Sequence, residues 1–72
     1  MSVGFRASQA VRARARENGT SIERECELIG CSRPTERNWR YKGYYPGGYH
    51  LLQMHLKGYD IMKILLGDEH GK

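Results

Sequence analysis

Apolar positions along the chain recur at helical spacing. Ile22, Cys26 and Ile29 stand at i, i+4 and i+7 and form one buried stripe. Phe5, Val11 and Ala15 can share a face in a stretch rich in the good helix formers Ala and Arg. Tyr49, Leu52 and Leu56 make a third stripe, with Leu51 and Met54 beside it. The stop and start signals between these stripes predict five short helices. Helix 1 runs from about residue 5 or 8 to 18, ended by Asn18-Gly19. Helix 2 begins at Thr20 or Ser21, where Thr20 and Glu23 have capping-box spacing. Helix 3 covers residues 33–41. Helix 4 runs from about 48 or 49 to 57 and stops at Gly58. Asp60 caps helix 5, residues 61–66, which Gly67 closes. Residues 41–49, YKGYYPGGY, form a loop by their Gly and Pro content. Residues 1–4 are expected to fray and 68–72 to be disordered. The expected fold is all-α, a compact bundle of about five short helices in one domain.

The most informative stretch is 22–42, two helices joined by a tight turn at Gly30-Cys31-Ser32. Gly30 suits the left-handed conformation that ends a helix. Ser32 is a good N-cap, and Pro34 falls in the first helical turn, where a missing N–H costs little. Trp39 should face inward and anchor helix 3. The outward face then carries Arg33, Pro34, Arg37, Asn38 and Tyr41. Arg37 can bond guanine O6 and N7 in parallel, and Asn38 adenine N6 and N7. Arg33 can touch a base or a phosphate, and Ser32 is a phosphate contact or only a cap. A helix so rich in donors, with Thr35, Arg40 and Lys42 among them, fits the DNA major groove.

Over residues 19–67 the chain resembles the lambda-repressor-like helix-turn-helix family, whose small members include Cro-type phage regulators. The resemblance rests on Cys26, the turn Ile29-Gly30-Cys31-Ser32, Trp39, Gly43 followed by Pro46, Leu51-Leu52, and Ile64-Leu65-Leu66-Gly67. It implies a helix-turn-helix DNA-binding domain. Related folds contact the DNA backbone from the loop after the recognition helix, here Lys42, Tyr44 and Tyr45, unless the tyrosines pack on Trp39. Where the family often has a polar contact residue this chain has Ile22, which cannot bond to DNA. Glu25 and Glu36 also depart from the pattern, standing where apolar side chains pack helix 2 against helix 3. Two buried carboxylates need a cation, such as Arg12, Arg16 or Arg40, or a shift that exposes them.

The length of 72 residues caps the chain at one domain with a small core, so oligomerisation would help it. The net charge of +4 is unevenly placed. Residues 1–42 hold nine Lys/Arg against five Asp/Glu, whereas residues 43–72 hold three of each. This favours a polyanion partner for the first part and a packing role for the second, although a solvated basic surface has the same balance. Arg12, Arg14 and Arg16 alternate and cannot share one direction on a helix, so some can reach phosphates while others are solvated. No apolar run spans a membrane and no signal-peptide core is visible, which makes the cytoplasm the default. Cys26 and Cys31 read as core thiols. Zinc is disfavoured because His50 and His55 are five apart on a helix and a gap of 18 residues separates them from the cysteines. No nucleophile has a base and an orienting partner, so no enzyme and no cofactor are expected.

The expectation is a Cro-like transcriptional repressor of phage or mobile-element origin, binding a pseudo-palindromic double-stranded operator as a homodimer. No effector domain fits, so its own concentration and dimerisation would control it. The apolar tail exceeds what one small core absorbs, and Met54, Ile61, Ile64 and Leu66 are assigned to a two-fold interface. The alternative is a protein-interaction module, such as an antitoxin or antirepressor, working through that tail.

Overall fold

A computed structural model describes residues 2–67. Among them the chain forms α1 (Val3–Asn18), α2 (Ile22–Leu28), α3 (Arg33–Arg37), a π-helical turn (Asn38–Lys42), α4 (Gly48–Leu56) and α5 (Ile61–Leu66), with no strand. The architecture is an all-helical bundle in which α1 packs against α2, α5 and the π turn. One core draws on Ala7 and Val11 of α1, Cys26 of α2, Ile29 and Cys31 of the following turn, Trp39, Met54, Tyr59 and Ile64. Cys26 and Cys31 are buried thiols, and Cys31 is held above its ordinary pKa by its bond with Cys26 and by burial.

Local chemistry explains the helix ends. The Ser21, Ser32 and Asp60 side chains accept hydrogen bonds from the N–H groups of Arg24, Thr35 and Lys63. Gly19 and Gly43 close α1 and the π turn in the left-handed conformation, at φ 66° and 68°. Ser21 rather than Thr20 caps α2, and the Thr20 hydroxyl donates to Glu25 instead.

The beginning of the chain does not fray where it is described. Ser2 caps α1 by accepting from the N–H of Phe5 at 3.0 Å, and Gly4 is buried. A Cβ on Gly4 would stand 2.1 Å from the Tyr44 carbonyl oxygen and 2.9 Å from that of Trp39. Only glycine lets α1 approach the chain leaving α3 so closely. The buried stripe of α1 is Gly4, Ala7, Ser8, Val11 and Ala15, and Phe5 lies at its edge, half-buried. Residues 68–72, expected to be disordered, lie outside the described residues.

Two elements differ from the sequence reading. The expected single helix over 33–41 is α-helical only to Arg37, after which the turn widens and the N–H of Gly43 reaches the Asn38 carbonyl. In α4 the buried face is reversed. Tyr49, Leu52 and Leu56 are 60%, 53% and 65% exposed, whereas Met54 is fully buried and His50 and Leu51 are half-buried.

Gly4→Ala should therefore destabilise the fold by about 1–3 kcal/mol through overpacking against backbone. At an open helical site the same change would stabilise by ~0.5–1 kcal/mol. Urea unfolding followed by circular dichroism measures the sign.

Candidate nucleic-acid interface

The candidate interface is the outer side of α3 and the π turn. Two buried groups set its rotation. Trp39 is 2% exposed, and its ring meets the His50 ring edge-on with centroids 5.4 Å apart. Glu36, one turn earlier, is wholly buried. Its carboxylate accepts from Arg12 Nε at 2.9 Å and a second Arg12 nitrogen at 3.2 Å, and from the Ser8 hydroxyl. Of the three arginines offered as its partner, Arg12 takes the role. Burial pushes the Glu36 carboxyl up, but the bonds from Arg12 and Ser8 outweigh it and hold the group below its ordinary value. Donation to Glu36 in turn raises the pKa of the Arg12 guanidinium.

Glu25, buried to 3% exposure, has no ion pair among the described residues. It accepts from the Thr20 hydroxyl at 2.8 Å and from the Tyr59 hydroxyl at 3.5 Å. Burial and the Glu25 charge push the Tyr59 hydroxyl above its ordinary value. The internal charge pair expected for both carboxylates thus forms only at Glu36.

The ten residues expected at DNA divide by what they touch. Arg37, Tyr41, Lys42, Tyr44 and Tyr45 are exposed, Tyr41 at 73%. Lys42 lies with its ammonium 5.7 Å from the Tyr44 ring centroid. The tyrosines of the loop thus face water and do not cover Trp39. Ser32 and Thr35 bond to each other through their hydroxyls at 2.9 Å. Arg33 is half-buried with Nε 3.8 Å from Glu36, and Asn38 is half-buried. Arg40 turns away from the outer side. Its guanidinium lies 4.8 Å from the Phe5 ring centroid and donates to Ser8 at 3.4 Å. Ser8 is the residue the sequence did not single out, and a hydroxyl on the buried stripe of α1 was its only signal.

The four residues assigned to a two-fold interface also divide. Met54 and Ile64 are core residues at 0% and 3% exposure, and Ile61 is half-buried, so only Leu66 is open, at 53%. In α4 the reversed face turns Met54 inward and leaves Tyr49, Leu52 and Leu56 outside, and on α5 Met62 is exposed as well. No group of three or more His, Cys, Asp or Glu able to hold a metal occurs among the described residues, and none of their helices is long and apolar enough to cross a membrane. The chain matches no protein-family model, no curated protein and no solved structure, so its own residues carry the functional reading.

Arg12→Met should cost about 3–5 kcal/mol by leaving a buried carboxylate without its cation, and Arg12→Met with Glu36→Leu should recover most of that. Because the native Glu36 carboxyl lies below its unfolded value near 4.5, its contribution is complete above that pH. The contribution is lost as pH falls through the native value. The double variant should show a shallower acid limb in a plot of unfolding free energy against pH.

Proposed function

We propose that this chain is a sequence-specific DNA-binding regulator with a lambda-repressor-like helix-turn-helix, formed by α2, the turn and α3. It would act in the cytoplasm as a Cro-like repressor, placing α3 of each protomer in successive major grooves of a pseudo-palindromic operator, ~34 Å apart. The observation that carries this reading is the buried Trp39, which leaves Arg37, Tyr41 and Lys42 on the water-facing side of the segment. Arg37 is the base-reading side chain, since it alone of the arginines from 33 to 40 is exposed. Lys42, Tyr44 and Tyr45 supply backbone contacts at the end of the recognition segment. Arg33 and Asn38 would have to swing outward to reach bases, and Arg40 belongs to the α1 side.

The homodimer of this reading would use a surface that shares only Leu66 with the one expected. Tyr49, Leu52 and Leu56 share one face of α4 at i, i+3 and i+7, and Met62 and Leu66 add an exposed pair on α5. That exposed apolar surface also favours a second reading, a protein-interaction module, and the two separate by mutation.

Selection of genomic fragments by the purified protein should enrich an inverted repeat, and recovery of no common sequence would overturn the regulator reading. On the selected site Arg37→Ala should cost about 1–3 kcal/mol in a binding titration. Leu56→Asp should convert a dimer to a folded monomer in sedimentation and weaken operator binding. A module that binds protein would instead tolerate Arg37→Ala and lose its partner with Leu56→Asp.

A further inference from the structure

Behind the recognition segment lies an open recess of about 260 Å³, lined by Gln9, Arg12, Ala13, Arg16 and Arg40. Four of these come from α1 at i, i+3, i+4 and i+7 and so share one face. Ala13 contributes only a methyl group between the two α1 arginines, which leaves room for a ligand. No carboxylate lines the recess. Glu36 lies behind Arg12 and consumes one positive charge of the three. Arg16 is exposed and has no hydrogen-bond or ion-pair partner among the described residues. Arg14, between them in sequence, is committed elsewhere. It donates to the Lys57 carbonyl at 2.8 Å and lies over the Tyr59 ring.

We propose that this recess binds one phosphodiester group of the DNA backbone, held by Arg16 and Arg40 with Gln9 as a neutral donor. The proposal rests on the DNA-binding reading and names a contact outside the helix-turn-helix. Its chemistry is that of an anion site: three arginines, whose planar guanidinium donors suit phosphate, line one concavity. Its position selects a backbone phosphate over a free anion. Arg40, which lines the recess, belongs to the π turn that continues α3, and Arg12, which also lines it, bonds both oxygens of the Glu36 carboxylate on α3. The recess therefore adjoins the proposed recognition segment, beside the backbone of a duplex docked on it. The carboxylate that orients α3 also holds Arg12 at the rim.

The test compares the full chain with Arg16→Gln, a surface change with no packing to disturb, and with Arg16→Gln/Arg40→Gln, on the selected operator and on an unrelated duplex. Each protomer should lose about one unit from the slope of log affinity against log salt. Between 50 and 200 mM salt the wild type should thus lose about three- to fourfold more affinity per protomer than Arg16→Gln, at ~0.9 units of slope per phosphate. The loss should be equal on both duplexes, whereas Arg37→Ala should weaken only the operator. An unchanged slope for both variants overturns the recess assignment while leaving the regulator reading intact. A wild type that binds no duplex overturns both. Titration with inorganic phosphate, followed by NMR, separates the remaining source: saturation at sub-millimolar phosphate that Arg16→Gln abolishes, with no change in DNA slope, would assign the recess to a free anion and end the proposal.

Discussion

A carboxylate deprived of water is tolerated only where a cation and hydrogen-bond donors replace its hydration. Glu36 is in that position, and its partners Arg12 and Ser8 both belong to α1. An apolar side chain at 36 would pack against α1 in many rotations. A carboxylate that must meet two arginine nitrogens at 2.9 and 3.2 Å allows few. The pair therefore fixes how α3 is turned as well as how near it lies. With residue 36 facing α1, residue 40 follows it one turn later, and Arg40 is found against Phe5 and Ser8. Residues 37 and 41 are then carried to the outer side, where Arg37 and Tyr41 are exposed.

The same constraint extends to the chain before and after α3. Gly4 lies against the carbonyls of Trp39 and Tyr44 because α1 is drawn onto the π turn and the chain that leaves it. There the hydrogen-bonding widens to a π-helical turn, a form that occurs mostly as single turns within helices and often at functional sites. Nothing in the residues 38–42 announces it, because π and α turns share the same local preferences. The order of residues 2–4 escapes the sequence for a related reason. A Ser-x-Gly start carries no hydrophobic periodicity, and what orders it is a close backbone approach to a segment some forty positions away.

What was legible was whatever depends on local chemistry. The caps at Ser32 and Asp60, the stops at Gly19 and Gly30, the inward Trp39, the two core thiols and the all-helical class all follow from neighbouring residues. A cation beside Glu36 was one of two outcomes the sequence allowed, and the same argument fails at Glu25, which is buried against hydroxyl donors instead. The identity of the cation was not legible, because choosing among Arg12, Arg16 and Arg40 requires tertiary geometry. The face of α4 was illegible for yet another reason. Tyr49, Leu51, Leu52, Met54 and Leu56 lie all round a nine-residue helix, so its pattern offers two stripes. The contact of His50 with Trp39 chooses the one that includes Met54. Tyr49, although mostly exposed, lies over Gly30, where a Cβ would meet its ring at 2.8 Å. Met54, assigned to the interface, is core through that choice, and Ile64 of α5 is core as well.

The basic half of the chain is less a single polyanion surface than its net charge suggests. Arg6 donates to the carbonyls of Ile64 and Leu65, at the end of α5, and Arg14 to that of Lys57, at the end of α4. Both place positive charge at helix C-termini, where the backbone dipole favours it. Arg12 is consumed by Glu36, and Arg33 is drawn toward it. Most arginines of α1 are thus structural ties, and a count of basic residues overstates what is free for a ligand. The cations left facing water on the outer side of α3 and the π turn, Arg37 and Lys42, stand on the segment that is locked against α1, and Arg16 is left exposed on α1 itself. The charge free for a ligand is what remains after the fold has taken its share, and its location on α3 is set by the same buried pair that turns that helix outward.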